Sequence, residues 1–354
     1  SHGHDIYLTL DLDIQRQAEE CLGERKGSIV VLDTRTGGVL AMASYPRFDP
    51  NTFGADYGQL VANRDKPLLN RSIQALLPPG STFKMVTALT ALAEGKIDFN
   101  THFYCTGAIN VGNRRFRCTS SHGNVDLKRA IEHSCNVFFF ETAKRLNGKA
   151  INGWAEKFGF GNITGIDLPF EAPGNVPLPK YTGERLNVSI GQGALLVTPL
   201  QMAQMVSTIA NDGRTARPHL IGKVVTDDGA LIRKEETEDS HLAGLPGEDF
   251  LPVREAMRQV VIGGTARRKG LEQLGVAGKT GTAQIGSGDK NHLWFVGYAP
   301  FNAPRYAFCV VLERARGHSG SVAAPVARQL VAGILETERK NKQFAAKRKA
   351  GTVR

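Results

Sequence analysis

Chemistry in this chain is carried by three short patterns with hydroxyls and lysines at fixed spacing. The first is Ser81-Thr82-Phe83-Lys84, which follows Pro78-Pro79-Gly80 and precedes Met85-Val86-Thr87-Ala88-Leu89. The prolines disfavour helix ahead of the serine, and good helix formers run on to Gly95, so a helix is expected to start at Ser81. Three residues apart, Ser81 and Lys84 project from one helical face. A hydroxyl beside a desolvated amine can become a nucleophile, and the N–H groups at the helix start can receive an oxyanion. An isolated S-x-x-K is usually an N-cap followed by a solvated lysine, so this pattern needs company.

The company comes downstream. Ser134-Cys135-Asn136 offers a second hydroxyl and an amide at the start of an apolar helical run. Alone it reads equally well as a helix cap. Lys279-Thr280-Gly281-Thr282 sits in a strand pattern, where Lys279 and Gly281 face one way and Thr280 and Thr282 the other. Gly281 leaves room for another backbone or a ligand to approach, and a lysine with threonines suits an anionic, peptide-like ligand. The competing reading is an edge-strand lysine with a bulge glycine.

A further cluster is Cys105, Cys118, His122 and Cys135, spaced so that three thiols and an imidazole could hold a tetrahedral structural Zn²⁺. Cys135 is the middle residue of the second pattern, so ligation there would pin Ser134 and Asn136. A Cys105–Cys118 disulfide and unrelated buried thiols are the alternatives, and His133 is a rival fourth ligand that would crowd the site. The other cysteines are Cys21 and Cys309. An odd count of five is no disulfide framework.

The elements that must position these groups can be read in outline. An amphipathic helix is expected over 11–22, then a hairpin of strands 28–33 and 39–44. Irregular surface is expected over 45–77 and the serine helix after it. Short helices and loops fill 98–190, including helices near 126–132 and 135–146, and another helix runs over 199–211. Residues 224–250 show only a turn at Asp227-Asp228-Gly229. Consecutive antiparallel strands at 275–284, 293–298 and 306–313 precede an amphipathic helix over 322–338. This order suggests an α+β fold in which a central antiparallel sheet, built from both chain ends, is flanked by helices and interrupted by a mainly helical insertion. One domain is expected over 5–338.

The 354 residues can bury a large core, and the composition is that of a soluble globular protein. The net charge of +10 is concentrated at the end. Arg339, Lys340, Lys342, Lys347, Arg348, Lys349 and Arg354 carry seven charges, so 339–354 is expected to be a disordered basic tail, not a nucleic-acid face. No apolar run reaches the roughly 18 residues needed to span a bilayer and no signal peptide is present. The chain therefore reads as a soluble piece of something longer, with Ser1-His2-Gly3-His4 as a possible cloning remnant.

The ordered set S-x-x-K, S-x-N, K-T-G-T resembles the three motifs of penicillin-binding protein transpeptidase domains and serine β-lactamases. The resemblance covers most of residues 6–338. It includes Leu8-Thr9-Leu10-Asp11 with Ile14-Gln15, Asp49-Pro50-Asn51, Pro78-Pro79-Gly80, Ser189-x-Gly191-Gln192-Gly193 and Gly264-Thr265-Ala266. It is strongest to class B enzymes of the elongation type, penicillin-binding protein 2. The resemblance implies that Ser81 attacks the penultimate D-alanine carbonyl of a peptidoglycan stem peptide with Lys84 as base, and that β-lactams acylate the same serine. It implies that Ser134 passes a proton to the leaving group, Asn136 holds the donor amide and Lys279 tunes the Lys84–Ser134 network. Thr280 and Thr282 would bind the terminal carboxylate, and the backbone N–H groups of Ser81 and Thr282 would form the oxyanion hole. It also implies a membrane anchor in the full-length protein, a location on the periplasmic face of a bacterial inner membrane and a glycan-polymerising partner. Some members have a metal site beside the second motif, with carboxylates at some of the positions that are cysteine here. The alternative is a β-lactamase or β-lactam sensor. A class A β-lactamase needs a Glu in an E-x-x-L-N loop, which is absent between the second and third motifs; Glu171 stands in a different context. A zinc-containing basic module binding nucleic acid is the non-enzymatic rival.

Overall fold

The computed structural model describes residues 3–236, 239–286 and 288–349. Its centre is a five-stranded antiparallel sheet in the order Ala277–Gln284, Lys290–Ala299, Tyr306–Arg316, Gly27–Asp33, Val39–Tyr45. Both chain ends supply it, as the sequence predicts. The inner strands are buried along almost their whole length instead of alternating, which requires helices on both faces. Leu12–Leu22 and Ser319–Lys349 pack together against the sheet, and Pro199–Ala210 packs across its three central strands.

Local chemistry sets the helix starts. Asp11 caps the first helix by accepting from the N–H groups of Asp13 and Ile14, and Thr198 forms a capping box with Gln201. The expected turn closes through Thr226 N–H to Ala230 O at 2.9 Å, with Gly229 at φ 86°.

Several expectations need correction. Residues 45–77 are not wholly irregular: Phe53–Ala62 and Arg71–Gln74 are helical. The first of these buries none of its residues, so it left no core-facing period to detect. The 98–190 segment contains the helices Leu127–Glu132, Asn136–Arg145, Gly148–Lys157 and Thr182–Ser189. It also contains two β-ribbons, Phe103–Cys105 with Gly123–Val125 and Ala108–Val111 with Arg114–Arg117. Helix Phe250–Ile262 is an element that the sequence reading did not assign. The basic tail is not disordered as far as Lys349, because Ser319–Lys349 is one continuous helix. Its extension is supported by i,i+4 ion pairs from Lys340 to Glu336 and from Lys342 to Glu338. Residues 350–354 of that tail lie outside the described residues. Among the described residues no helix is long and apolar enough to cross a membrane.

Candidate active site

The serine stretch does not begin as an α-helix capped by Ser81. Gly80–Phe83 is a 3₁₀ turn with no side-chain cap, and the α-helix is Lys84–Ala93. Every residue from Lys84 to Ala91 in that helix is buried, so it runs through the core and holds the turn in place. Gly80 has φ 57°, and a side chain there would meet Thr282 O at 3.0 Å. From beneath, Gly191 fits so closely that an added Cβ would lie 2.0 Å from Gly80 O, and Gly80 N–H donates to Gly191 O at 2.9 Å. The conspicuous Ser189-x-Gly191 loop is thus the floor of the serine turn.

The third motif lies on the outer strand of the sheet. An added Cβ at Gly281 would meet Thr82 Cγ2 at 2.7 Å and Pro79 O at 2.8 Å. The missing side chain therefore admits the serine turn itself, the close backbone approach that the sequence suggested.

The second motif is presented by a helix terminus. After Leu127–Glu132, Cys135 N–H bonds back to Ala130 O and Ser134 N–H to Ile131 O, the bonding pattern of a Schellman cap. Ser134 occupies its left-handed position with φ 57°, where glycine is the usual residue. A non-glycine there costs about 1 kcal/mol, so the hydroxyl is retained against a local penalty. Ser134→Gly relieves this penalty but takes a shared acceptor from two buried lysines, so the melting temperature is expected to fall by no more than a few degrees while acylation drops by roughly a hundredfold or more. Calorimetry and labelling kinetics on the same preparation check both halves. A large loss of stability would contradict the geometry.

These segments converge on two lysines. Lys84 and Lys279 are both fully buried. Lys84 Nζ donates to Ser134 O at 2.7 Å, Ser134 Oγ at 3.1 Å and Asn136 Oδ1 at 2.7 Å. Lys279 Nζ donates to the same Ser134 Oγ at 3.1 Å and to Thr280 O at 3.0 Å. Burial pushes the Lys84 pKa down to about 8, partly opposed by the nearby Cys118 and Cys135 sulfurs. Lys279 is held well below the usual lysine range by burial and by the charge of Lys84.

The hydroxyl lying between the two lysine amines is therefore Ser134. Both Ser134 lone pairs are engaged, which frees its proton to be donated elsewhere. All three Lys84 protons are committed to the second motif, and Ser81, half-buried on its turn, makes no side-chain hydrogen bond to any described residue. Asn136 uses one Nδ2 proton on Arg117 O at 3.1 Å, leaving one for a ligand carbonyl. Thr280 and Thr282 point along the other face of their strand. They pair with Thr265 Oγ1 at 2.6 Å and Ser319 Oγ at 2.8 Å. Sequence reasoning noted Thr265 within Gly264-Thr265-Ala266 and missed Ser319, which has no motif of its own.

The Cys/His cluster also assembles. Ligand atoms of Cys105, Cys118, His122 and Cys135 all lie within 4.8 Å of one another. Tetrahedral bonds of usual length place sulfurs roughly 3.8 Å apart and sulfur and nitrogen roughly 3.6 Å apart. The observed separations are 3.9 Å for Cys118–Cys135, and 3.4 and 3.5 Å from His122 Nδ1 to Cys105 and Cys118. The donor set thus fits Zn²⁺ in identity and spacing. Asn136 N–H donates to Cys118 Sγ at 3.1 Å. The Cys118 thiol is held low by hydrogen bonds from Cys135 and from the backbone, and Ser120 Oγ lies 3.0 Å from the outer nitrogen of His122. Cys105 and Cys118 are free thiols, not a disulfide. His133 stacks on His122 at 6.2 Å without joining the cluster.

Glu171 is engaged locally, its two carboxylate oxygens accepting from Thr164 and Gly165 N–H at 2.8 and 3.1 Å.

An unbonded hydroxyl on a rigid turn, one helical turn from a buried lysine, is a layout for serine acyl transfer. Comparison with known proteins makes the class definite. The penicillin binding protein transpeptidase domain model matches residues 27–332, and the chain belongs to this family. The peptidoglycan D,D-transpeptidase MrdA of Acinetobacter baumannii is 36% identical over 96% of the chain. The chain spans 55% of that relative's length. Among solved structures, PBP2 of Pseudomonas aeruginosa in complex with WCK 5153 is 34% identical with a TM-score of 0.85, covering 95% of this chain and 76% of that one. A chain of a peptidoglycan synthase complex, described as coordinating polymerization and crosslinking, is 33% identical with a TM-score of 0.85, covering 94% and 63%.

Proposed function

We propose that this chain is the D,D-transpeptidase part of a peptidoglycan-synthesising enzyme of the penicillin-binding protein 2 type. The observation that carries the reading is the pair of buried lysines sharing Ser134 Oγ beside the Ser81 turn. Ser81 attacks the penultimate D-alanine carbonyl after losing its proton to neutral Lys84, and its own N–H and that of Thr282 receive the oxyanion. Ser134, whose lone pairs face the lysines, protonates the departing D-alanine. The amine of a second stem peptide then resolves the acyl-enzyme into a cross-link. Asn136 holds the donor peptide by its free amide proton, and Thr280 and Thr282 receive the terminal carboxylate. β-Lactams enter the same path and stop at the acyl-enzyme.

A structural Zn²⁺ held by Cys105, Cys118, His122 and Cys135 supplies no chemistry to the reaction. It fixes the ribbons to the second motif and with them Ser134 and Asn136. The full-length protein is read as anchored in the bacterial inner membrane with this part on the periplasmic face. It would work beside a glycan-polymerising partner, as in the synthase complex noted above.

Product analysis tests the reading. With a stem-peptide donor ending in D-Ala-D-Ala and an amine acceptor, the full-length protein is expected to release D-alanine and form the cross-linked product. Rapid hydrolysis of a chromogenic β-lactam, without such a product, would establish the β-lactamase alternative instead.

A further inference from the structure

We propose that Thr265 and Ser319 are positioning residues that give the two threonines of the third motif unequal roles. Thr280, backed by Thr265, is the hydroxyl ready to donate to a ligand carboxylate, whereas Thr282 is held back by Ser319. The proposal rests on the transpeptidase reading and refines its carboxylate subsite.

Counting protons gives the asymmetry. Ser319 is buried at the start of the terminal helix, and its Oγ donates to Gly281 O at 2.5 Å. A serine hydroxyl has one proton, so in the 2.8 Å contact between Ser319 Oγ and Thr282 Oγ1 the donor must be Thr282. Ser319 N–H adds a long contact of 3.4 Å to the same Thr282 oxygen. In the free protein Thr282 thus offers no proton to the cleft.

The other pair has no such constraint. Thr265 Oγ1 and Thr280 Oγ1 are 2.6 Å apart and either can donate. When a carboxylate arrives, Thr265 can turn its proton toward Thr280 while Thr280 turns its own toward the ligand. No heavy atom moves and no bond is lost. Donation by Thr282 instead requires breaking its bond to Ser319.

The two backing residues are fixed by close backbone approaches. An added Cβ at Gly320 would lie 2.2 Å from Thr265 O, and one at Gly264 would lie 2.4 Å from Glu132 O. Thr265 is therefore wedged between the start of the terminal helix and the end of the helix that presents Ser134. Neither Thr265 nor Ser319 needs to touch the ligand.

The test uses a penicillin and its methyl ester and reads the ratio of their second-order acylation rates, which isolates recognition of the carboxylate. Thr265→Val leaves Thr280 its own proton but removes the partner that orients that hydroxyl, so it is expected to lower the ratio about three- to tenfold, the net worth of one neutral hydrogen bond, and Thr265→Ser to restore it. Ser319→Ala is expected to leave the ratio unchanged or raise it a few-fold. The proposal is overturned if Thr265→Val slows acid and ester equally or changes neither, or if Ser319→Ala lowers the ratio as Thr265→Val does. Failure of the unsubstituted protein to be acylated by the free acid would instead overturn the transpeptidase reading.

Discussion

Replacing Lys84 by alanine is expected to slow β-lactam acylation of this protein by roughly 10³- to 10⁴-fold, the upper range for removing a positioned general base. Two effects add. The base is lost, and Ser134 and Asn136 lose the donor that fixes them at 3.1 and 2.7 Å. The same lysine sets the pH dependence. Its pKa is lowered to about 8, and only the neutral amine can accept the Ser81 proton. The rate should therefore rise about tenfold per pH unit well below 8 and level off above it, as the amine becomes mostly neutral. Stopped-flow labelling across pH 6–10 checks this. A rate that falls with pH over that range, or a Lys84→Ala variant within tenfold of the parent, would exclude Lys84 as the base.

Breaking the proposed zinc site is expected to have the second largest effect. The purified protein should contain close to one zinc per chain. Cys118→Ser should lose it, lower the melting temperature by roughly 5–10 °C and slow acylation by about ten- to a hundredfold. Cys118 is chosen because it contacts His122, Cys135 and the Asn136 N–H together. Its loss would release the ribbon Arg114–Arg117 and the second motif at once. Elemental analysis with parallel calorimetry decides the matter. Zinc near zero in a fully active preparation would mean that the four residues pack as thiols and imidazole alone.

The parts of this molecule that were legible in the sequence are those where one residue type has one job. The strand at Lys279 could be read because its glycine and threonines alternate, and the close approach at Gly281 follows from a missing side chain. The convergence of Cys105, Cys118, His122 and Cys135 was legible because few arrangements other than a common site use three cysteines and a histidine at that spacing. Other features depend on partners distant in the chain. Ser319 has no motif, and its role exists only because the terminal helix begins beside the third motif. The ribbons at 103–125 are three or four residues per strand, too short to show a period. The Phe250–Ile262 helix is different. Its buried Phe250, Val253, Met257, Val260 and Val261 do follow helical spacing, and Pro252 in its first turn is compatible with a helix start, so the signal was present and was passed over. The way Ser134 is held between the two lysines lay beyond sequence reasoning, since it depends on a left-handed residue ending a helix at Ser134.

The central claim is that Ser81 is the residue acylated. Intact-protein mass spectrometry after brief penicillin treatment, followed by peptide mapping, tests it most directly. One long-lived adduct per chain is expected, confined to the peptide containing Ser81 and absent from a folded Ser81→Ala variant. No adduct, one that turns over within seconds, or one that survives Ser81→Ala would contradict it.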